Sequence, residues 1–207
     1  GKGQIEAGLM AQGFAELAAA LEAAGVLSMR VAWFEDGPPE HYPVQALAAL
    51  STHDLPTVAG LWTGSDLEDQ RKNETGPDEE LERGRTALLA KLKGVRRNAR
   101  PATAVKRAHE LLASAPSLLL SATLDDAVGE RRRPNMPGTT DRPNWSLPLP
   151  VLVEDLPAHP LLQTVAQTLA EGVKGSSPLA PREIGDLARP GARQRARSPI
   201  SSVPGQD

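Results

Sequence analysis

The chain has 207 residues, room for one sizeable domain and too few for two large ones. Apolar residues make up 40% and aromatics only 3%, while 19 prolines and 18 glycines divide the chain into short elements joined by loops. A net charge of −3 gives no general attraction to nucleic acid or anionic membrane, and a chain without cysteine has neither disulfides nor thiolate metal sites.

Residues 5–24 are alanine-rich and place Ile5, Leu9, Phe14, Leu17 and Leu21 on a helical stripe that Gly25 closes. The run Ser28-Met-Arg-Val-Ala-Trp-Phe34 reads as a strand, and Glu35 to Pro39 as the loop leaving it. A second strand is expected over 44–53, where small and aliphatic residues follow one another without alternation, the pattern of a strand buried on both faces. It ends in Thr52-His53-Asp54, and Pro56 then turns the chain out of regular structure. Residues 56–64 lead into a short helix near 66–72.

Charge is segregated beyond this point. Asp66 to Glu82 carries eight acidic residues, and Lys91 to Arg107 carries seven basic ones with no carboxylate. Leu81, Leu88, Leu89 and Leu92 mark one helix, and Ala104, Val105, Ala108, Leu111 and Leu112 another, so the two blocks are expected to be solvated helix faces that complement each other. A nucleic-acid patch would need interleaved aromatics, which are missing. The run 116–124 is the third expected strand, with Asp125 and Asp126 leaving its end, followed by a Pro- and Asn-rich loop over 134–150 and a helix near 159–172. From Val173 onward periodicity is lost and five prolines fall in the last 30 residues, so 173–207 is predicted to be a disordered tail behind a folded part, 1–172. Strands alternating with helices predict an α/β fold with three parallel strands near 28–34, 45–52 and 117–123.

A polar pair at the C-terminal end of a buried parallel strand reads as chemistry. Two plainer readings of His53-Asp54 stand beside it. Asp54 could cap the segment that follows, or the pair could belong to a helical His-Asp metal site of the phosphohydrolase kind. The latter requires a helix at the pair and further histidines at helical spacing, among only four in the chain.

Several words around the pair belong together. Trp33-Phe-Glu35, His41-Tyr-Pro43, Ser51-Thr-His-Asp-Leu-Pro-Thr57 and Gly60-Leu-Trp-Thr-Gly64 resemble the 4-alpha-glucanotransferases of the amylomaltase, or disproportionating-enzyme, type. Asn135-Met-Pro-Gly-Thr-Thr-Asp-Arg-Pro-Asn-Trp145 resembles a later stretch of the same family, in the same order, and the likeness spans roughly residues 25–172. The resemblance implies the C-terminal part of a (β/α)8, TIM-type barrel, since eight strands in ~250 residues close such a barrel and three do not.

The implied activity is transfer of an α-1,4-glucan segment between maltooligosaccharides with retention of configuration. That chemistry uses a nucleophilic carboxylate and an acid/base carboxyl ~5–5.5 Å apart, with an oxocarbenium-like transition state between two covalent steps. By resemblance Asp54 is a third carboxylate that grips sugar hydroxyls beside the reacting carbon, and His53 is its hydrogen-bonding neighbour. Phe34, Asp36 and Asn135 are implied to contact glucose, against plainer roles for Phe34 in a core and for Asn135 in shaping a turn. Trp62 and Trp145 are expected to be packing anchors rather than sugar platforms.

The family's nucleophile lies upstream of the matching region. Its acid/base glutamate sits in a Glu-Asp-Leu-Gly stretch, whereas the corresponding place here holds Glu6-Ala-Gly-Leu-Met-Ala-Gln-Gly13, so Glu6 inherits no role. The chain alone is therefore expected to be inactive in transfer, and a non-catalytic glucan-binding fragment is the alternative. The expected partners are maltooligosaccharides or other α-1,4-glucans, with no cofactor, metal, nucleic acid or membrane. A cytoplasmic location is expected from the absence of cysteine, of a signal-peptide pattern and of an apolar run of the ~18 residues a span needs.

Overall fold

The computed structural model describes residues 2–73 and 79–176. Helix α1 (Lys2–Ala23) opens the chain. It stops at Gly25, whose φ of 73° suits the left-handed position of a Schellman cap. There the Gly25 amide donates to the Glu22 carbonyl and the Val26 amide to the Leu21 carbonyl, both at 2.9 Å.

Three strands follow, β1 (Ser28–Val31), β2 (Ala46–Ala49) and β3 (Leu119–Ser121), paired in parallel in the order β1-β2-β3. All three expected strands exist, but each is shorter than its apolar run. In β1 the reason is visible. Ladder bonds continue from the Ala32 and Trp33 amides to the Ala49 and Leu50 carbonyls, while Phe34 and Glu35 already fold back onto the Val31 carbonyl.

Register sorts the side chains into two faces. Arg30, Ala48 and Leu120 stand side by side on one face, and Ala48 and Leu120 belong to the main core there. Helix α5 (Pro101–Leu112) lays Ala104, Val105, Ala108 and Leu112 into that core, joined by Val58 and Ala59 of α2 (Val58–Thr63) and Val165 of α7 (Pro160–Ser176). Alanines along β2 let these helices approach closely, and burying a residue such as Leu112 contributes about 1.5–3 kcal/mol. On the opposite face Met29, Leu47 and Leu119 form a row across the sheet, with Met29 58% and Leu119 49% exposed.

A second cluster gathers Val31, Trp33, Leu55, Leu61 and Leu88 beneath α4 (Glu79–Lys91). Gly84 of α4 lies directly on the Trp33 indole, where a Cβ would collide with the ring.

Two helices escaped the sequence pattern. Residues 56–64 contain α2 before α3 (Ser65–Lys72), and Asp125 and Asp126, expected only to leave the end of the third strand, belong to α6 (Leu124–Val128). Each is under two turns long, too short to display a period. The expected pairing of the charged faces is not seen among the described residues, outside which lie Glu74, Asp78 and the Glu80 side chain. Among the described residues no ion pair joins the acidic block to the basic one. Asp66 is instead buried against Arg85, Asp69 pairs with Arg142, and Lys106 and Arg107 turn to Glu110. Helix α7 runs to Ser176, past the boundary expected at Val173, and the tail from 177 lies outside the described residues. Among the described residues no helix is long and apolar enough to cross a membrane.

Candidate active site

Parallel pairing brings the C-terminal ends of all three strands to one edge. From β2 the chain passes through buried Leu50 and Ser51 into a turn at Thr52–Leu55. The turn closes with the Leu55 amide on the Thr52 carbonyl at 3.1 Å, and the Asp54 amide faces Thr52 Oγ1 at 3.4 Å. No helix runs through the pair, so the helical metal-dyad alternative lacks its scaffold. The described residues hold no group of three or more His, Asp or Glu able to bind a metal ion.

Capping of α2 is done by other residues, which overturns the plain role for Asp54. Thr57 Oγ1 accepts the Gly60 amide at 3.0 Å and donates to the Glu130 carbonyl at 2.7 Å. The Val58 amide donates to Oδ1 of Asp126 at 2.6 Å, so a carboxylate from α6 serves the helix's first turn. Asp126 is 1% exposed, and burial pushes its carboxyl up to about 6. The Asp54 carboxylate is thereby left free to face outward, with 43% of its side chain exposed and 55% of its neighbour His53.

The second half of the site comes from residues 130–145. Glu130 gathers the amides of Arg131 and Arg132 at 2.7 and 2.9 Å and pairs with the Arg132 guanidinium. Arg133, 5% exposed, donates to the Asp54 carbonyl at 3.2 Å. Burial and then the Arg142 charge lower its pKa. Asn135 completes the join: its amide N–H donates to the His53 carbonyl at 3.3 Å, and its Nδ2 donates to Oδ1 of Asp54 at 2.6 Å.

Asn144 holds the loop beyond. Its Oδ1 accepts from the Met136 amide at 3.0 Å and from Arg142 at 2.8 Å, while its Nδ2 donates to the Thr139 carbonyl at 3.1 Å. Arg142 also reaches the Arg133 carbonyl at 2.6 Å and Asp69 at 3.1 Å, tying the loop to α3. Trp145 then emerges with φ of 60°, its ring centroid 4.8 Å from that of His53 and tilted by 50°.

The structure therefore brings His53, Asp54 and Asn135 together, 81 residues apart in the case of the last two. Phe34 and Asp36 leave the same sheet edge but line a separate cavity of about 280 Å³ against Arg83, Gly84 and Ala87 of α4. Among the described residues neither makes a hydrogen bond or ion pair to Asp54. Phe34 is 55% exposed and so is not a core residue. Lys91 fixes this second loop by donating to the Ala32 carbonyl at 2.9 Å and to that of Glu35.

Of the two tryptophans expected to anchor packing, Trp62 does so, half-buried on the core with its indole N–H on the Ala99 carbonyl at 3.0 Å. Trp145 does not: it is 65% exposed, because its left-handed backbone swings the ring outward onto His53. His159 turns Nδ1 toward the Leu162 amide in the first turn of α7 at 3.4 Å.

Arg133, Asp126 and Asn144 position the site without a readable local signal, since each acts on backbone far away or inside a loop. The Thr123-x-x-Asp126 spacing was the one available hint of a capped helix start. Chemically, the arrangement offers a carboxylate with Oδ1 held by an amide, Nε2 of an imidazole 3.4 Å from that same Oδ1, and open space beyond. Such a set suits neutral polyols, whose hydroxyls donate to the carboxylate and accept from amide and imidazole.

Comparison with known proteins agrees with the residues. Residues 12–153 match the family model described as 4-alpha-glucanotransferase. The 4-alpha-glucanotransferases of Mycobacterium bovis and Mycobacterium tuberculosis are 35% identical over 181 residues, covering 74% of this chain and 24% of theirs. The crystal structure of amylomaltase from Corynebacterium glutamicum aligns with a TM-score of 0.64 at 27% identity, covering 74% of this chain and 27% of that one. An amylomaltase from Streptococcus agalactiae in complex with acarbose shares the fold at 16% identity, with a TM-score of 0.50, covering 76% and 29% of the two chains. This chain spans about a quarter of the length of the mycobacterial relatives it matches. With two thirds of its residues inside the family model and both motif blocks meeting at one carboxylate, the chain belongs to the 4-alpha-glucanotransferase family.

Proposed function

We propose that these residues form part of a (β/α)8 glucanotransferase barrel and supply the carboxylate that holds sugar hydroxyls beside the reacting carbon during α-1,4-glucan transfer. The observation that carries this is the hydrogen bond from Asn135 to Asp54 at the C-terminal edge of a parallel sheet. Catalytic groups of parallel barrels stand at that edge. The open row Met29, Leu47, Leu119 supports the barrel, because parallel sheets are covered on both faces and a closed barrel covers its inner face with its own remaining strands.

Asp54 has one oxygen committed to Asn135, and among the described residues no hydrogen bond reaches the other. A free carboxylate oxygen accepts from a sugar hydroxyl, and that bond tightens as positive charge develops at the neighbouring carbon. His53 offers a second polar contact at the same sugar, and Phe34 and Asp36, in their separate cavity against α4, are further glucose contacts in the same proposal. Maltooligosaccharides are the substrates that fit, and a cytoplasmic setting belongs to the same proposal, supported by a chain without cysteine.

The test is glucose release from maltotriose by a protein in which the family's upstream barrel strands precede residue 1. There Asp54→Asn is expected to reduce kcat by a factor on the order of 10²–10³, with little change in substrate affinity, because size is kept and charge is removed. The 207-residue chain alone is expected to release none. Equal turnover by wild type and Asp54→Asn, or robust transfer by the short chain, would overturn the assignment.

A further inference from the structure

Two features of Trp145 do not fit a structural role. A bulky residue with φ of 60° stands in a backbone region that side chains with a Cβ rarely occupy. If the position served only to turn the chain, glycine or asparagine would do so at lower cost. If it packed against the described residues, the ring would be buried among them, yet it is 65% exposed. Strain held in place beside an open site points to function.

The surrounding bonds show that the conformation is imposed. The Trp145 amide donates to the Pro134 carbonyl at 3.0 Å, next to Asn135. Asn144, immediately before it, is fixed through both ends of its side-chain amide. The indole centroid lies 4.8 Å from that of the His53 imidazole, whose Nε2 stands 3.4 Å from Oδ1 of Asp54, and most of the tryptophan is open to solvent.

We infer that Trp145 is a substrate-binding residue, the platform on which the apolar C–H side of a glucosyl ring rests while Asp54 and His53 take its hydroxyls. A pyranose has a rim of hydroxyls and a flatter face of C–H groups. A flat indole next to a carboxylate and an amide complements both parts. This rests on the glucan function proposed above, and it identifies the contact that selects a pyranose ring over an open-chain polyol, which would satisfy the polar groups equally well.

The chain has three tryptophans, of which Trp33 is 1% exposed, Trp62 half-buried and Trp145 65% exposed. Acrylamide quenching of the red-edge emission therefore reports Trp145. Maltoheptaose is expected to protect that emission, with a midpoint matching its Kd by calorimetry on the 207-residue chain.

Trp145→Gly separates function from structure, since glycine adopts this φ without strain. It is expected to keep or raise Tm while weakening maltoheptaose binding about tenfold, the loss set by one aromatic contact. Trp145→Phe should keep most of the affinity, and Trp62→Phe should change neither binding nor the protection. Calorimetric binding with quenching unchanged, or with wild-type affinity in Trp145→Gly, overturns the platform and leaves the glucan function standing. No binding of maltoheptaose to a folded chain overturns the platform, while the glucan function stands or falls with the assay on the barrel-restored protein. Competition by a flat aromatic solute but not by maltoheptaose would make the ligand aromatic rather than a sugar and also overturn the platform.

Discussion

At the scale of single residues, Asp126 shows what it costs to leave Asp54 free. Its carboxyl is fully buried so that it can hold the Val58 amide, and burial raises its pKa from 3.8 to about 6. Because the folded value lies above the unfolded one, the folded chain binds the proton more tightly. This group's contribution to stability is complete below pH 3.8 and is lost as pH rises through about 6. The whole excursion is at most about 3 kcal/mol. Asp126→Asn keeps an acceptor for Val58 and removes the titration. The variant is expected to lack the decline in stability between about pH 4 and 6 that wild type shows in urea midpoints. Parallel pH profiles for the two proteins would refute the assignment of that slope to Asp126.

At the scale of elements, the site depends on how closely α2 approaches the chain after α6. Gly60 lies against the Arg131 carbonyl, and a Cβ there would collide with backbone that cannot swing aside. Gly64, at φ 77°, ends α2 with open space around it. Gly60→Ala must separate the two segments, at a cost of about 1–3 kcal/mol. Gly64→Ala strains only its own backbone, about 1 kcal/mol. Glucan affinity is expected to fall in Gly60→Ala and to persist in Gly64→Ala, because the first change alone shifts the Asn135 loop relative to Asp54. Chemical denaturation and calorimetry on both variants check the pair. The loss of affinity should track the position of the substitution rather than the loss of stability.

At the scale of the whole molecule, two of the open apolar surfaces among the described residues stand out. Phe14, Leu17 and Leu21 are 70%, 54% and 42% exposed along α1, and Met29 and Leu119 flank the uncovered face of the sheet. Parallel sheets with a bare face are uncommon, and such surface drives association. The 207-residue chain is expected to self-associate with rising concentration in sedimentation velocity. Leu119→Lys, which places a charge on the open row without touching the helix-covered core, should shift it toward monomer with unchanged thermal stability. A wild-type chain that stays monomeric at high concentration would mean that this face is not adhesive.

The order of strands and helices was legible in the chain, because apolar runs and helical stripes are local signals repeated over many residues. The polar break Thr52-His53-Asp54 was legible as well, and the block beginning at Asn135 through its likeness to the family. Only the tertiary structure decided what they do to each other. Helices α2 and α6 are too short to announce themselves and are completed by bonds from distant segments, Asp126 to Val58 across 68 residues among them. Asp54 looked as able to cap as to bind. Its carboxylate was left facing outward because Thr57 and Asp126 took the capping, and Asn135 arrived across 81 residues to hold one of its oxygens. Trp145 was read as a buried anchor because tryptophan usually is one. Its backbone angle, held by Asn144 and the Pro134 carbonyl, turned the ring out onto His53. Local propensity acts over a few residues, whereas burial and the pairing of buried polar groups are settled only when remote segments meet.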